Sequence, residues 1–224
     1  MGEIEEATGE LLKLWEGLGP LLHQFMRKSG IGPTCKRGCT HCCSMMATVH
    51  LLEGLLLADN ALKLPDWKRV AMSAREASIA GQGIYDSREY FKLDITCPLL
   101  NQSSNDCMLY EFRPGPCRWY YVSSPVELCD PKLNTTKKVA MLDNRQFRRA
   151  TLGLCVQATN SSLTTPLPLM LVWCMRKRAE TEEAKKFMEK AVKGLDLPEN
   201  WFKKAMAREE AKHEGAEGNR GTAA

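Results

Sequence analysis

The sequence predicts a mainly α protein: an irregular helical domain with a loop-rich, metal-organised cysteine centre and at most a small β-hairpin. Three observations carry this prediction. Apolar residues recur at a spacing of about 3.6 through much of the chain, the mark of helices with one buried face. Prolines at 98, 114, 116, 125 and 131 crowd a single section, where neither a helix nor a long strand survives. The 224 residues also include 10 cysteines, and those from Cys35 to Cys129 are gathered in two sets.

Each element follows from its own residues. Ile4, Leu11, Trp15, Leu18, Leu22, Phe25 and Met26 share one face of a helix over residues 3–28. Gly17, Gly19 and Pro20 predict a kink in it, or two shorter helices. Residues 29–34 form a turn that delivers the chain to the first cysteines. Residues 44–49 read as extended or turning, and 50–63 as a leucine-rich helix. Leu64-Pro65-Asp66 starts another, with Trp67, Val70, Ala71 and Ala74 on its apolar side. Residues 84–93 fit no single pattern. Short extended pieces around 95–100 and 107–110 predict a small hairpin across a polar turn. Helix returns over 137–158, carrying Val139, Met141, Leu142, Phe147 and Leu152, and breaks at 161–168. It resumes over 169–193 as one or two helices, with Ala184, Phe187, Met188, Ala191, Val192 and Leu195 in a stripe. Pro198 suits a first helical position, so 198–213 is a last helix. Residues 1–213 therefore read as one domain, with a cysteine-rich core over about 30–132 and a helical part over 136–213. The Gly-rich stretch 214–224 reads as a disordered tail.

Composition excludes several classes. Hydrophobic residues make up 44% of the chain, enough for a packed core, and the net charge of +4 names no partner by itself. The acidic start Met1-Gly2-Glu3-Ile4-Glu5-Glu6 lacks the apolar segment of a secretory signal. No apolar run reaches the ~18 residues of a membrane span. The expectation is a cytoplasmic protein without a membrane partner, in which thiols stay reduced and clustered cysteines bind metal. Basic groups occur at Lys137-Lys138, at Arg145, Arg148 and Arg149, and at Arg176-Lys177-Arg178. No aromatic platform is interleaved with them, so they read as solvated helix faces and nucleic acid is not an expected partner. No phosphate-cradling loop, dinucleotide fingerprint, His-Glu-x-x-His or nucleophile elbow is present.

The chemistry lies in the cysteines. Cys35, Cys39, Cys42 and Cys43 fall within nine residues, interleaved with Lys36, Arg37, Gly38, Thr40 and His41, which no apolar core would tolerate. On one helix Cys39, Cys42 and Cys43 would lie about 40°, −20° and 80° from Cys35, off one side; a loop gathers them equally well. Cys97, Cys107, Cys117 and Cys129 follow in the proline-rich section. The two sets are candidate metal ligands for two four-coordinate ions or for one polynuclear site. Successive side chains diverge, so Cys42 and Cys43 binding one tetrahedral ion is awkward. One sulfur per metal, a bridging thiolate, or a ligand beside a redox thiol are the easier arrangements. Sulfur-rich sites suit zinc, iron–sulfur clusters and copper(I), and spacing leaves zinc and iron, mononuclear or clustered, undecided.

Residues 35–43, Cys97-Pro98-Leu99-Leu100, the run Cys107-Met108-Leu109-Tyr110-Glu111-Phe112-Arg113-Pro114-Gly115-Pro116-Cys117-Arg118, and Cys129-Asp130 together resemble the bacterial YkgJ-type cysteine-cluster proteins. Those are described as a zinc- or iron-chelating domain with eight recurrent cysteines. Their first cluster reads Cys-x-x-Cys-x-x-Cys-Cys, whereas the first gap here is three residues. The resemblance covers about residues 30–132 and implies a chelating site, with no reaction attached. A similar cysteine pattern in the flagellin lysine N-methylase keeps an enzyme or enzyme component open, although no adenosylmethionine-binding motif is recognisable here. A thiol-redox or metal-delivery protein is the third reading. A protein partner and any catalytic residue are unspecified.

Other residues have two readings each. Arg113 and Arg118 flank Cys117 and would either offset thiolate charge or pair with carboxylates such as Glu111. Tyr110 reads as packing. His41 is a ligand or a turn residue, and His50 precedes a leucine-rich helix. Cys155 and Cys174 stand in apolar helical surroundings and read as core.

Overall fold

A helix buried on every side except in its last turn lies at the centre. In Leu167–Arg178, α7 in chain order, Leu167 to Val172, Cys174 and Met175 are all buried. Such a helix needs neighbours on every side. Helix α2 (Leu51–Ala61) supplies one, burying Leu52, Leu56, Leu57 and Ala61. Helix α3 (Trp67–Ala80) supplies a second through the small residues Val70, Ala71, Ala74 and Ala77. Helix α8 (Glu182–Val192) closes a third side with Ala184, Met188, Ala191 and Val192. Thr181 caps α8 by accepting from the Ala184 N–H at 3.1 Å. The ring of Phe187 meets Trp67 edge-on at 5.1 Å, tying α8 to α3.

The computed structural model describes residues 2–29, 34–119, 122–130 and 145–218. Helix α1 (Gly2–Ser29) runs through Pro20 without dividing and buries Leu11, Trp15, Leu18 and Met26, as the 3.6 spacing predicts. The side chains of Leu22 and Phe25, placed on the same stripe, lie outside the described residues. Leu11 and Trp15 pack with Leu52, Leu56 and Cys155 in a second core between α1, α2 and α6 (Arg145–Thr159). The Trp15 indole donates to Thr151 there at 3.3 Å. Val139, Met141 and Leu142, the first half of the predicted 137–158 helix, lie outside the described residues, as does most of the predicted turn at 29–34. Leu152 faces solvent; Thr151 and Cys155 are the buried residues of α6.

The remaining helices follow the sequence with sharper ends. Residues 84–93 resolve into α4 (Ser87–Lys92), whose first N–H groups bond Asp86. The 169–193 stretch is two helices, and the last helix runs Pro198–Gly218, past its expected end at 213. The predicted hairpin is present as β2 (Leu100–Asn101) against β3 (Asp106–Cys107). An additional antiparallel ladder joins β1 (Thr48–His50) to β4 (Thr164–Pro166), with Val49 opposite Thr165. Each of these strands runs directly into a helix, β1 into α2 and β4 into α7. The ladder therefore holds the starts of the two most intimately packed helices side by side. Arg178 does the same at the other end, pairing with Asp59 and with Glu5 of α1. Among the described residues no helix is long and apolar enough to cross a membrane.

Gly54 of α2 lies directly against α7. A Cβ there would stand 2.3 Å from Met170 Cγ and 3.0 Å from Cys174 Sγ. Gly54→Ala is expected to cost about 1–3 kcal/mol, read from the shift in urea midpoint. Gly17→Ala, at an exposed helical site with nothing within 4 Å, is expected to be neutral or to stabilise by up to ~1 kcal/mol.

Candidate metal centre

Four separate segments carry the cysteines into one region. The first is a loop followed by a single 3₁₀ turn, His41–Ser44, so of the two geometries open to it the loop is realised. Gly38 sits at φ +84, which only glycine adopts cheaply, and this lets the Cys39 N–H return to the Lys36 carbonyl at 3.1 Å. The 3₁₀ turn advances about 120° per residue, so the adjacent side chains Cys42 and Cys43 diverge. Cys42 is exposed and Cys43 half-buried.

The second segment docks through its backbone: the Cys97 N–H donates to the Cys43 carbonyl at 2.8 Å. The β2–β3 hairpin then sets Cys107 opposite Leu100. Asn105, at φ 55, provides the left-handed residue of that tight return. Cys117 lies in a one-turn helix, α5 (Gly115–Trp119), anchored from below by the helical core. The fully buried Glu53 carboxylate accepts the Gly115 N–H at 2.7 Å and the His50 N–H at 2.8 Å. One side chain thus caps α2 and fixes α5. Cys129 ends the 3₁₀ turn Val126–Cys129, which packs on the His41–Ser44 turn. His41 and Asp130 stand 3.9 Å apart across that contact. Cys35 is held from the same side, its sulfur accepting the Val122 N–H at 3.4 Å.

A cavity of about 90 Å³ opens where these segments meet, and Cys39, Cys42, Cys43, Cys97, Cys107 and Cys117 line it. Leu167 and Pro168 of α7 reach it from the core. Cys35 and Cys129 stand beside it, electrostatically coupled to Cys39 and Cys42. Among the described residues no three His, Cys, Asp or Glu side chains are closed into a shell around a point.

The electrostatics show what such crowding does. Burial first, and neighbouring thiols next, push Cys97 up to about 12 and Cys129 up to about 11. Burial raises Cys35, Cys107 and Cys117 as well. The exception is Cys42, lowered to about 7 by the hydrogen bond from Cys43 and, less strongly, by Arg113. Cys43 is pushed up as the donor in that bond. Backbone N–H groups also favour the ionised sulfur: that of Leu99 lowers Cys97 and that of Leu109 lowers Cys107, while the Leu100 N–H donates to the Cys97 carbonyl at 3.0 Å. N–H donors around soft thiols suit a thiolate–metal site, because they share the negative charge that remains on sulfur. The donor set therefore fits zinc or iron, both of which accept sulfur ligands.

The two arginines separate in role. Arg113 stacks on Tyr110 with its guanidinium 3.7 Å from the ring centre, and it lowers Cys42, Cys107 and Cys117. Arg118 turns away, bonding the carbonyls of Glu111 and Arg113 and covering the Trp15 ring at 4.8 Å. Arg37, read in the sequence only as a polar residue between the cysteines, lies over Tyr110 at 4.9 Å and pairs with Asp106 at 3.0 Å, linking the first cluster to the hairpin. Its place between Cys35 and Cys39 was the available signal. Glu53 and Tyr90 were also missed. Glu53 stands three residues after His50, a helix-capping spacing, but nothing in the sequence joins it to Gly115. Tyr90 lines the cavity, its hydroxyl raised to about 12 by burial and by Cys97. Cys155 and Cys174 are buried in the helical cores.

A family model described as "CxxCxxCC: Putative zinc- or iron-chelating domain" matches residues 34–147, just over half of the 224-residue chain. No curated protein and no solved structure matches it.

Burial raises the Glu53 carboxyl from 4.5 to about 7, against the lowering effect of the two N–H groups. Between those values the folded chain holds a proton that the unfolded chain has released. This group's contribution to stability is therefore greatest below about 4.5 and falls as pH rises through about 7. The difference in unfolding free energy between wild type and Glu53→Gln should change across this window by up to ~1.4 kcal/mol per pH unit. A pH-independent difference would contradict the assignment.

Proposed function

The chain belongs to the CxxCxxCC zinc- or iron-chelating family, and from that membership we propose that it holds zinc or iron through Cys35, Cys39, Cys42, Cys43, Cys97, Cys107, Cys117 and Cys129. The observation that carries the reading is the meeting of Cys39, Cys42, Cys43, Cys97, Cys107 and Cys117, drawn from distant segments, around one cavity. Thiolates are costly to crowd and half-bury; a shared cation turns that crowding into binding energy. Arg113 and the N–H groups of Leu99 and Leu109 offset the negative charge that four thiolates leave on a divalent ion. When bound, the metal supplies a cross-link between the first cluster and residues 94–130. On the order of 10 kcal/mol per structural zinc is enough to order a segment with so little regular structure. Arg37 with Asp106, and Glu53 with Gly115, hold the same segments in register from outside the sulfur set. The role is chelation that organises the protein, and no described residue adds to the enzyme reading.

Elemental analysis of anaerobically purified chain is expected to find zinc or iron in stoichiometric amount. Cys42→Ser should lower the metal content, whereas Cys174→Ser, in the helical core, should retain it. Metal-free wild type, or loss of metal from the Cys174 variant alone, would contradict the reading.

A further inference from the structure

We infer that the eight thiols form two metal sites of four sulfurs each: an outer site of Cys35, Cys39, Cys42 and Cys129, and an inner site of Cys43, Cys97, Cys107 and Cys117. This rests on the chelation reading and specifies how many ions the centre takes and which sulfurs hold each.

The division starts at the adjacent pair. In the His41–Ser44 3₁₀ turn, successive side chains leave the axis about 120° apart, so Cys42 and Cys43 serve different ions more readily than one. Their environments differ accordingly: Cys42 is exposed and Cys43 half-buried. On the Cys43 side, the Cys97 N–H bonds the Cys43 carbonyl at 2.8 Å, and the Leu100–Cys107 pairing brings Cys107 back beside Cys97. Cys117 completes that set from α5, and all four line the cavity, which Cys39 and Cys42 of the outer set also line. On the Cys42 side, the turn ending at Cys129 packs on the His41–Ser44 turn, with His41 and Asp130 3.9 Å apart. The Val122 N–H holds the Cys35 sulfur at 3.4 Å, and Thr34 bonds the Val122 carbonyl at 3.0 Å, so Cys35 is tied to the segment that leads to Cys129.

Apart from Cys42, electrostatic neighbours divide in the same way. Cys129 is coupled to Cys35 and Cys39, and Cys117 to Cys97 and Cys107, while Cys42 acts on Cys129 and, ahead of every other thiol, on Cys117. Cys42 is coupled to members of both sets, which puts it at their boundary. Counting decides its membership. Cys43, Cys97, Cys107 and Cys117 already make four, the number a tetrahedral ion takes, while Cys35, Cys39 and Cys129 are three and need Cys42. A single four-coordinate ion would leave four crowded thiols with no cation between them.

The test is zinc stoichiometry by native mass spectrometry on the reconstituted full-length chain. Wild type is expected to bind two zinc ions. Cys129→Ser and Cys42→Ser should each keep one, at the inner site, and Cys107→Ser should keep one, at the outer site. Cobalt(II) titration of the unaltered chain gives a second reading that needs no variant to fold: both the first and the second equivalent should show sulfur-to-metal absorption of four thiolates. One zinc per wild-type chain would overturn the two-site inference and leave chelation standing. Loss of both ions from Cys42→Ser with its helicity intact would overturn it too, since Cys42 would then bridge. No zinc, cobalt or iron on wild type would overturn the chelation reading itself.

Discussion

Thiolates confined to a small volume cannot all carry charge unless a cation shares that volume. Burial and mutual repulsion push most of the clustered cysteines above their ordinary range, with Cys97 at about 12. Among the described residues Arg113 is the countercharge against Cys42, Cys107 and Cys117. Residues 94–130, with four prolines and strands of only two residues, have little regular structure, and Leu99, Leu109 and Val122 are their buried anchors. A cation bound among the sulfurs would let them ionise together, which agrees with the chelation that the family description names.

The helices make the arrangement possible without taking part in it. The α2–α7 pair, locked at one end by the β1–β4 ladder and at the other by Arg178 with Asp59, gives a rigid floor. From this floor Glu53 reaches Gly115, and Leu167 and Pro168 reach the cavity wall. A core change at Gly54 and a change at Glu53 thus act on different things: the first on helix approach, the second on where α5 places Cys117. Site residues on loops are positioned well only when rigid elements hold the loop ends, as here.

The sequence was informative where a short-range pattern carried the physics. The helical stripe of α1, the stripe of Ala184, Met188 and Ala191 in α8, the hairpin before Cys107 and the burial of Cys155 and Cys174 all follow from local spacing or composition. It was silent where the determinant is long-range. Thr48-Val49-His50 and Thr164-Thr165-Pro166 are too short to read as strands, and each is one only because the other lies beside it. Glu53 looks like an ordinary capping residue until α5 arrives to share it. The cysteine candidates stand out by number alone, but which sulfur neighbours which depends on the 3₁₀ turn at His41–Ser44 and on the docking of Cys97 against Cys43.

Hydrogen–deuterium exchange with and without a chelator tests most directly whether the cysteines act as one cross-link between distant segments. On metal removal, amides of residues 39–45 and of 97–117 should lose protection together, while those of α2 and α7 keep theirs. Unchanged exchange, or deprotection of one segment without the other, would contradict it.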